Sequence, residues 1–138
     1  QFLDLNFEKK RKNYTDILDM QRKKTGKLFN FCCYAAGLIA KKNNKELKTL
    51  SKLGEDIGLL FQFADDFIDV KGSKKLAGKT IKKDQKKGKS TLVALMGYKK
   101  AYIYASKLKK NILSKLSKHG KKADNLINTV EFILERNF

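Results

Sequence analysis

The stretch FQFADDFIDVKG, residues Phe61 to Gly72, sets three aspartates inside an apolar segment of helical pattern. A buried carboxylate is costly unless something pairs with it, so Asp65, Asp66 and Asp69 need a reason. Residues three and four apart share one face of a helix. Asp69 lies four after Asp65 and three after Asp66; Gln62 lies one turn earlier, and Gly58 one turn before that. One stripe therefore carries an acidic patch, then an amide, then a gap with no side chain. Carboxylates this close repel unless a cation sits between them. Hard oxygens on a rigid helix suit Mg²⁺, which takes few carboxylates together with substrate phosphates. The competing reading is an acidic helix end neutralised by surface lysines, although acid near a C-terminus opposes the helix dipole.

The sequence that follows bears on this choice. GSKKLAGKTIKKDQKKGKST, residues Gly72 to Thr91, loses the apolar period and places Lys79, Asp84 and Lys89 among glycines that let a backbone bend close to a ligand. Residues 71–91 hold nine lysines and one aspartate, a local charge of +8 beside an acidic helix end. Carboxylates, a divalent cation and lysines together meet the needs of a diphosphate.

The rest of the chain reads as helix. There is no proline, and lysine, leucine and alanine abound, which points to an all-α protein. Its 138 residues make one domain with a real core. Thr15 opens a periodic segment to about Lys41, with Ile17, Met20, Leu28, Phe31, Tyr34, Ala35 and Leu38 expected on its inner face. Asn43 or Asn44, with Glu46 in a capping-box position, starts a helix that runs to about Val70. Ser90 or Thr91 caps a fourth segment continuing to about Lys118, and Gly120 stops it. Asp124 or a neighbour starts the last helix, with Leu126, Ile127, Val130, Ile133 and Leu134 as its stripe. A helical bundle follows.

Charge and cysteines narrow the class. The net charge is +18, with 29 lysines against Arg11, Arg22 and Arg136. Such a chain attracts polyanions, but lysine without arginine is a poor set for reading bases. A basic nucleic-acid-binding module would expose its aromatics, whereas Phe29, Phe31, Phe61, Phe63 and Phe67 fall mostly inside apolar segments, so no nucleic-acid partner is expected. The longest apolar run, FCCYAAGLIA (Phe31 to Ala40), is too short to span a bilayer, so no stable membrane insertion is expected. With no basic-apolar-small leader at its start, the expectation is a cytoplasmic protein. The adjacent Cys32 and Cys33 read as buried, reduced thiols without metal-ligand spacing.

At this point the sequence resembles the trans-isoprenyl diphosphate synthases, and within them the bacterial farnesyl diphosphate synthases (geranyltranstransferases). FQFADDFIDVKG with AGKTIKKDQKKGKST is similar to their second aspartate-rich region. QFLDL, MQRKKTGKLF, GEDIGLLFQFADD and EFILERNF resemble further stretches in the same order. The resemblance implies the all-α isoprenoid-synthase bundle and a Mg²⁺-dependent condensation of an allylic diphosphate (dimethylallyl or geranyl) with isopentenyl diphosphate. It implies that Asp65 binds Mg²⁺, with Asp66 and Asp69 completing or supporting that shell. Lys24 and Lys79 would hold the allylic diphosphate. Thr25, Gln62 and the Lys24 carbonyl would present oxygen dipoles to the carbocation, the carbonyl freed where Lys-Thr-Gly loosens a helix. Phe61 would enclose the isopentenyl group. Gln1, Asp84 and Lys89 match polar and phosphate-side positions, while Arg136 reads as a surface arginine.

Two departures stand out. Lys82 replaces a common glycine, and the family needs two facing aspartate-rich motifs where this chain has one; Asp4, Asp16, Asp19 and Asp56 are isolated. The expectation is the C-terminal part of one helical synthase domain, residues 1–138, with the N-terminal part that carries the first motif absent. Its partner would be a second copy, as a homodimer, or that N-terminal part. The FCCYAAGLIA run and the stripe of the 44–70 helix carry more apolar surface than these helices can bury among themselves. Because product length is set beside the first motif, a geranylgeranyl or longer-chain synthase is the alternative.

Overall fold

Local capping chemistry starts the longest helix. The Asn43 side-chain Oδ1 accepts hydrogen bonds from the backbone amides of Lys45 and Glu46, both at 3.0 Å, and Glu46 Oε2 accepts from the Asn43 amide at 3.1 Å. This is the reciprocal capping box. The Asn43 amide, followed by Lys42, holds the Glu46 carboxyl below its usual range. The structure, a computed structural model, describes Thr15, Asp19 and residues 22–77 and 91–136, with backbone alone at residues 22, 24 and 73–77.

A π-helical turn, Arg22–Gly26, leads into α1, Lys27–Ile39, and a short connection then reaches α2, Asn44–Ala77. At 34 residues α2 is about 50 Å long and is the spine of the molecule. The periodicity predicted an end near Val70, but the helix runs on to Ala77. Lysine, leucine and alanine sustain a helix by propensity where no apolar stripe marks it. Beyond the second gap, Thr91 Oγ1 accepts from the Ala94 amide at 3.1 Å and starts α3, Leu92–Met96. The single fourth segment read from sequence is in fact two. Gly97, at φ 76° and ψ 149°, adopts a backbone region open essentially to glycine and breaks it before α4, Tyr98–Leu116. A 3₁₀ stretch, Ser117–Ala123, turns at Gly120 (φ 58°) into α5, Asp124–Glu135. The described residues are helical and contain no strand, the all-α architecture the composition implies.

The helices α1 and α2 form an antiparallel hairpin held at backbone distance. A Cβ on Gly54 would stand 2.4 Å from the Phe29 carbonyl oxygen, and one on Gly58 would stand 2.8 Å from Gly26 Cα. Glycine is required at these crossings because backbone meets backbone. Asn30 Nδ2 adds hydrogen bonds to Ser51 Oγ (2.6 Å) and Glu55 Oε1 (3.1 Å). On its other side α2 packs on α4 and α5. Leu59, Leu60 and Phe63 meet Leu92, Ala101, Ala105, Ile112, Val130 and Ile133 in one buried core.

The inner face of α1 is not the predicted one. Leu28, Phe31, Tyr34 and Leu38 are exposed, and Ile39 is 84% exposed. Apart from Phe29, which packs on Phe61, the side facing α2 is small or polar, because close approach selects glycine and asparagine rather than bulk. The two cysteines sit on α1 accordingly: both are free, Cys32 exposed and Cys33 half-buried rather than buried. Among the described residues no helix is long and apolar enough to cross a membrane.

Candidate active site

The acidic turn of α2 is reached by a chain of hydrogen bonds from the π-helical turn. Thr25 Oγ1 donates to Gln62 Oε1 at 3.0 Å, and Gln62 Nε2 donates to Asp66 Oδ1 at 3.1 Å. The hydroxyl fixes which end of the amide faces the carboxylate. Thr25 is in place because the Gly26–Gly58 crossing brings the π-helical turn against α2. The gap expected at Gly58 is therefore filled by backbone. The loosening expected at Lys-Thr-Gly is present as the π-helical turn itself, a distortion that often accompanies functional sites. Lys24 contributes its backbone to this turn.

Asp66 is 4% exposed, and its Oδ2 has no hydrogen-bond partner among the described residues. Burial pushes its pKa up to about 6, with the help of Asp69 and Asp65 and against hydrogen bonds from Gln62 and the Leu92 backbone amide. Asp65 lies half-buried one position earlier, and Asp69 is exposed one turn on. All three lie on α2, about two turns or more before its end at Ala77.

Arg136 is the residue the sequence reading misplaced. Its side chain is only 12% exposed, donates from Nη2 to Asp65 Oδ1, and lies 4.2 Å over the ring of Phe61. Phe61 in turn packs on Phe29 at 5.5 Å between ring centroids. It is thus half-buried at the site's edge. Arg136 follows the last residue of α5, whose Val130 and Ile133 are buried. The only sequence signal was a cation just beyond a helix with a strong apolar stripe. Gln1, Lys79, Asp84 and Lys89 lie outside the described residues, as does the side chain of Lys24.

The donor chemistry suits a hard cation from one side. The Asp66 carboxylate has an unsatisfied buried oxygen, beside two further carboxylates, one of which has already attracted a guanidinium. Among the described residues no three acidic, histidine or cysteine side chains converge to enclose a metal. The turn therefore offers part of a coordination shell. Beside it opens a cavity of about 270 Å³ between α2, α4 and α5, walled by Phe67, Ile68, Tyr98, Tyr102 and Ile133; none of the three aspartates lines it.

Residues 1–130 match the family model described as Polyprenyl synthetase. The chain is 31% identical over 137 residues to the farnesyl diphosphate synthase of Micrococcus luteus, a match covering 99% of this chain and 47% of the relative. It is 29% identical to the geranylgeranyl diphosphate synthase of Cyanophora paradoxa, over 99% of this chain and 46% of the relative. A crystal structure of an isoprenoid synthase family member from Thermotoga neapolitana superposes with a TM-score of 0.78 at 28% identity, covering 98% of this chain and 46% of that one. The chain spans about half the length of the relatives it matches.

Proposed function

The chain belongs to the polyprenyl synthetase family, and from that premise we propose that it forms part of a trans-prenyltransferase joining an allylic diphosphate to isopentenyl diphosphate. In this reaction the allylic C–O bond breaks with its electron pair leaving on the diphosphate. The isopentenyl double bond then attacks the carbocation, and a proton is lost. Bound Mg²⁺ would supply charge neutralisation for the leaving diphosphate. Asp65, Asp66 and Asp69 would hold that ion from one side, while Lys24 and Lys79 would grip the allylic diphosphate. Gln62, oriented by Thr25, would keep its carbonyl oxygen near the developing cation. Phe61 would shield that cation from water. Gln1, Asp84 and Lys89 would complete the polar wall.

The observation that carries this reading is the ordered line from Thr25 through Gln62 to the buried carboxylate of Asp66. Relatives named for farnesyl and for geranylgeranyl diphosphate both match, and the farnesyl product is our preferred one. Residues 1–138 would form the C-terminal part of a single helical domain. The exposed apolar row on α1 supports cover by an N-terminal part or by a second copy in a homodimer.

The test is a condensation assay with geranyl and isopentenyl diphosphates and Mg²⁺. Residues 1–138 alone should form no product. Joined to an N-terminal part that restores activity, Asp65→Ala should lower turnover about 10³-fold with unchanged helicity. Near-normal turnover in that variant would overturn the assignment.

A further inference from the structure

The Asp65–Arg136 contact has the features of a built pairing. The last turn of α5 is fastened to α4 by Lys109, whose Nζ donates to the Glu131 carbonyl at 2.9 Å and to Glu135 Oε1 at 2.8 Å. Val130 and Ile133 fix the same turn in the core. Arg136 is therefore delivered to the acidic turn of α2 by a docked helix. There its guanidinium meets both the Asp65 carboxylate and the Phe61 ring face. A flat, weakly hydrated cation suits both, and lysine would not lie across the ring in this way. The guanidinium sits on Asp65 Oδ1, one of the two oxygens through which that carboxylate would meet a metal ion.

Building on the reading of this turn as a metal-binding half-site, we propose that the Arg136 guanidinium is the resident counter-ion of Asp65, which a divalent cation must displace. Without metal, the guanidinium offsets the repulsion among Asp65, Asp66 and Asp69 and keeps Asp65 aimed across Phe61. Metal and guanidinium then compete for one carboxylate oxygen, so each weakens the other's hold. Arg136 is on this view a positioning residue that sets how readily the turn accepts its ion.

The 138-residue chain contains three arginines, Arg11, Arg22 and Arg136, so its guanidinium groups can be followed singly by ¹⁵N NMR. Rotation about the Arg136 guanidinium should be slow without metal and become fast as Mg²⁺ is added. In parallel, Mn²⁺ affinity read by electron paramagnetic resonance should rise about 3- to 10-fold in Arg136→Gln. Lys121→Gln, which removes the same charge in the 3₁₀ stretch before α5, should leave it within twofold. Circular dichroism on each variant checks that helicity is kept.

If Mg²⁺ shifts the ¹³C carboxylate signals of Asp65 and Asp66 while Arg136 stays slow, the displacement is wrong and the metal reading stands. An Arg136→Gln affinity no greater than that of Lys121→Gln overturns it equally. If Mg²⁺ leaves those carboxylates unshifted, both the metal reading and the displacement fail together.

Discussion

Two buried aspartates stand ten residues apart on α2, and the protein treats them in opposite ways. Asp56 is 6% exposed and both of its oxygens are engaged: Oδ1 by Lys52 and Oδ2 by Lys115, each at 3.2 Å. Asp66 is 4% exposed, meets the Gln62 amide and no cation among the described residues, and is pushed up to about 6. Burial of an acid is thus no mark of function by itself. The informative difference is whether the fold supplies its own cations. Asp56 ties α2 to α4, whereas Asp66 is held in a defined orientation and left incompletely satisfied. The contrast extends to the two ends of the helix. The Asp56 end is pressed against α1 through Gly54 and Gly58, while around Gly72 nothing lies within 4 Å of an added Cβ.

The most severe way to probe the packed end is Gly54→Ala. The new methyl would meet Phe29 and Asn30 backbone atoms, which no rotamer change can relieve. The hairpin must spread, at a cost of about 3 kcal/mol. Urea denaturation measures it, and an unchanged midpoint would show that the two helices are not in backbone contact.

A middle-sized effect, of opposite sign at the two acids, is expected from aspartate-to-asparagine changes. The folded Asp66 pKa of about 6 lies above its ordinary 3.8, so the folded state holds the proton more tightly than the unfolded chain. Its contribution to stability therefore falls as pH rises from about 4 to about 6 and is flat above. Asp66→Asn should stabilise by about 1–2 kcal/mol at pH 7, and the gain should vanish near pH 4. Asp56→Asn should instead cost about 1 kcal/mol at pH 7, since its lysine partners are half-exposed and can be rehydrated. Thermal melts across that pH range would decide; melting shifts of equal sign would erase the distinction.

The smallest change is expected at the open end. Gly72→Ala meets no neighbour and should gain about 0.5–1 kcal/mol by restricting the unfolded chain. A loss there would mean that residues around Gly72 are packed against something.

How much of this could be read from the residues depended on distance along the chain. The caps at Asn43 and Thr91 were legible because their chemistry acts over three residues. The acidic stripe and its Gln62 neighbour were legible because helical period is local. The inner face of α1 was not: apolar period marks what prefers to leave water, and here Leu28, Phe31 and Leu38 point away from α2. Contact with α2 was instead written in Gly54, Gly58 and Asn30, whose value depends on what stands opposite. The break at Gly97 was hidden because the apolar pattern continues on both sides of it. Arg136 was the farthest-reaching miss, since nothing within a helical turn of it indicates Asp65.

That contact closes a loop of 71 residues, against 21 for Asn30 to Ser51 and 37 for Thr25 to Gln62. Short loops close at less entropic cost and form early. The order of assembly follows: the α1–α2 hairpin can zip while α5 is still being synthesised, and the acidic turn stays without its arginine until Arg136 emerges. On the ribosome, the acidic turn is therefore locked only after the hairpin that carries it has formed.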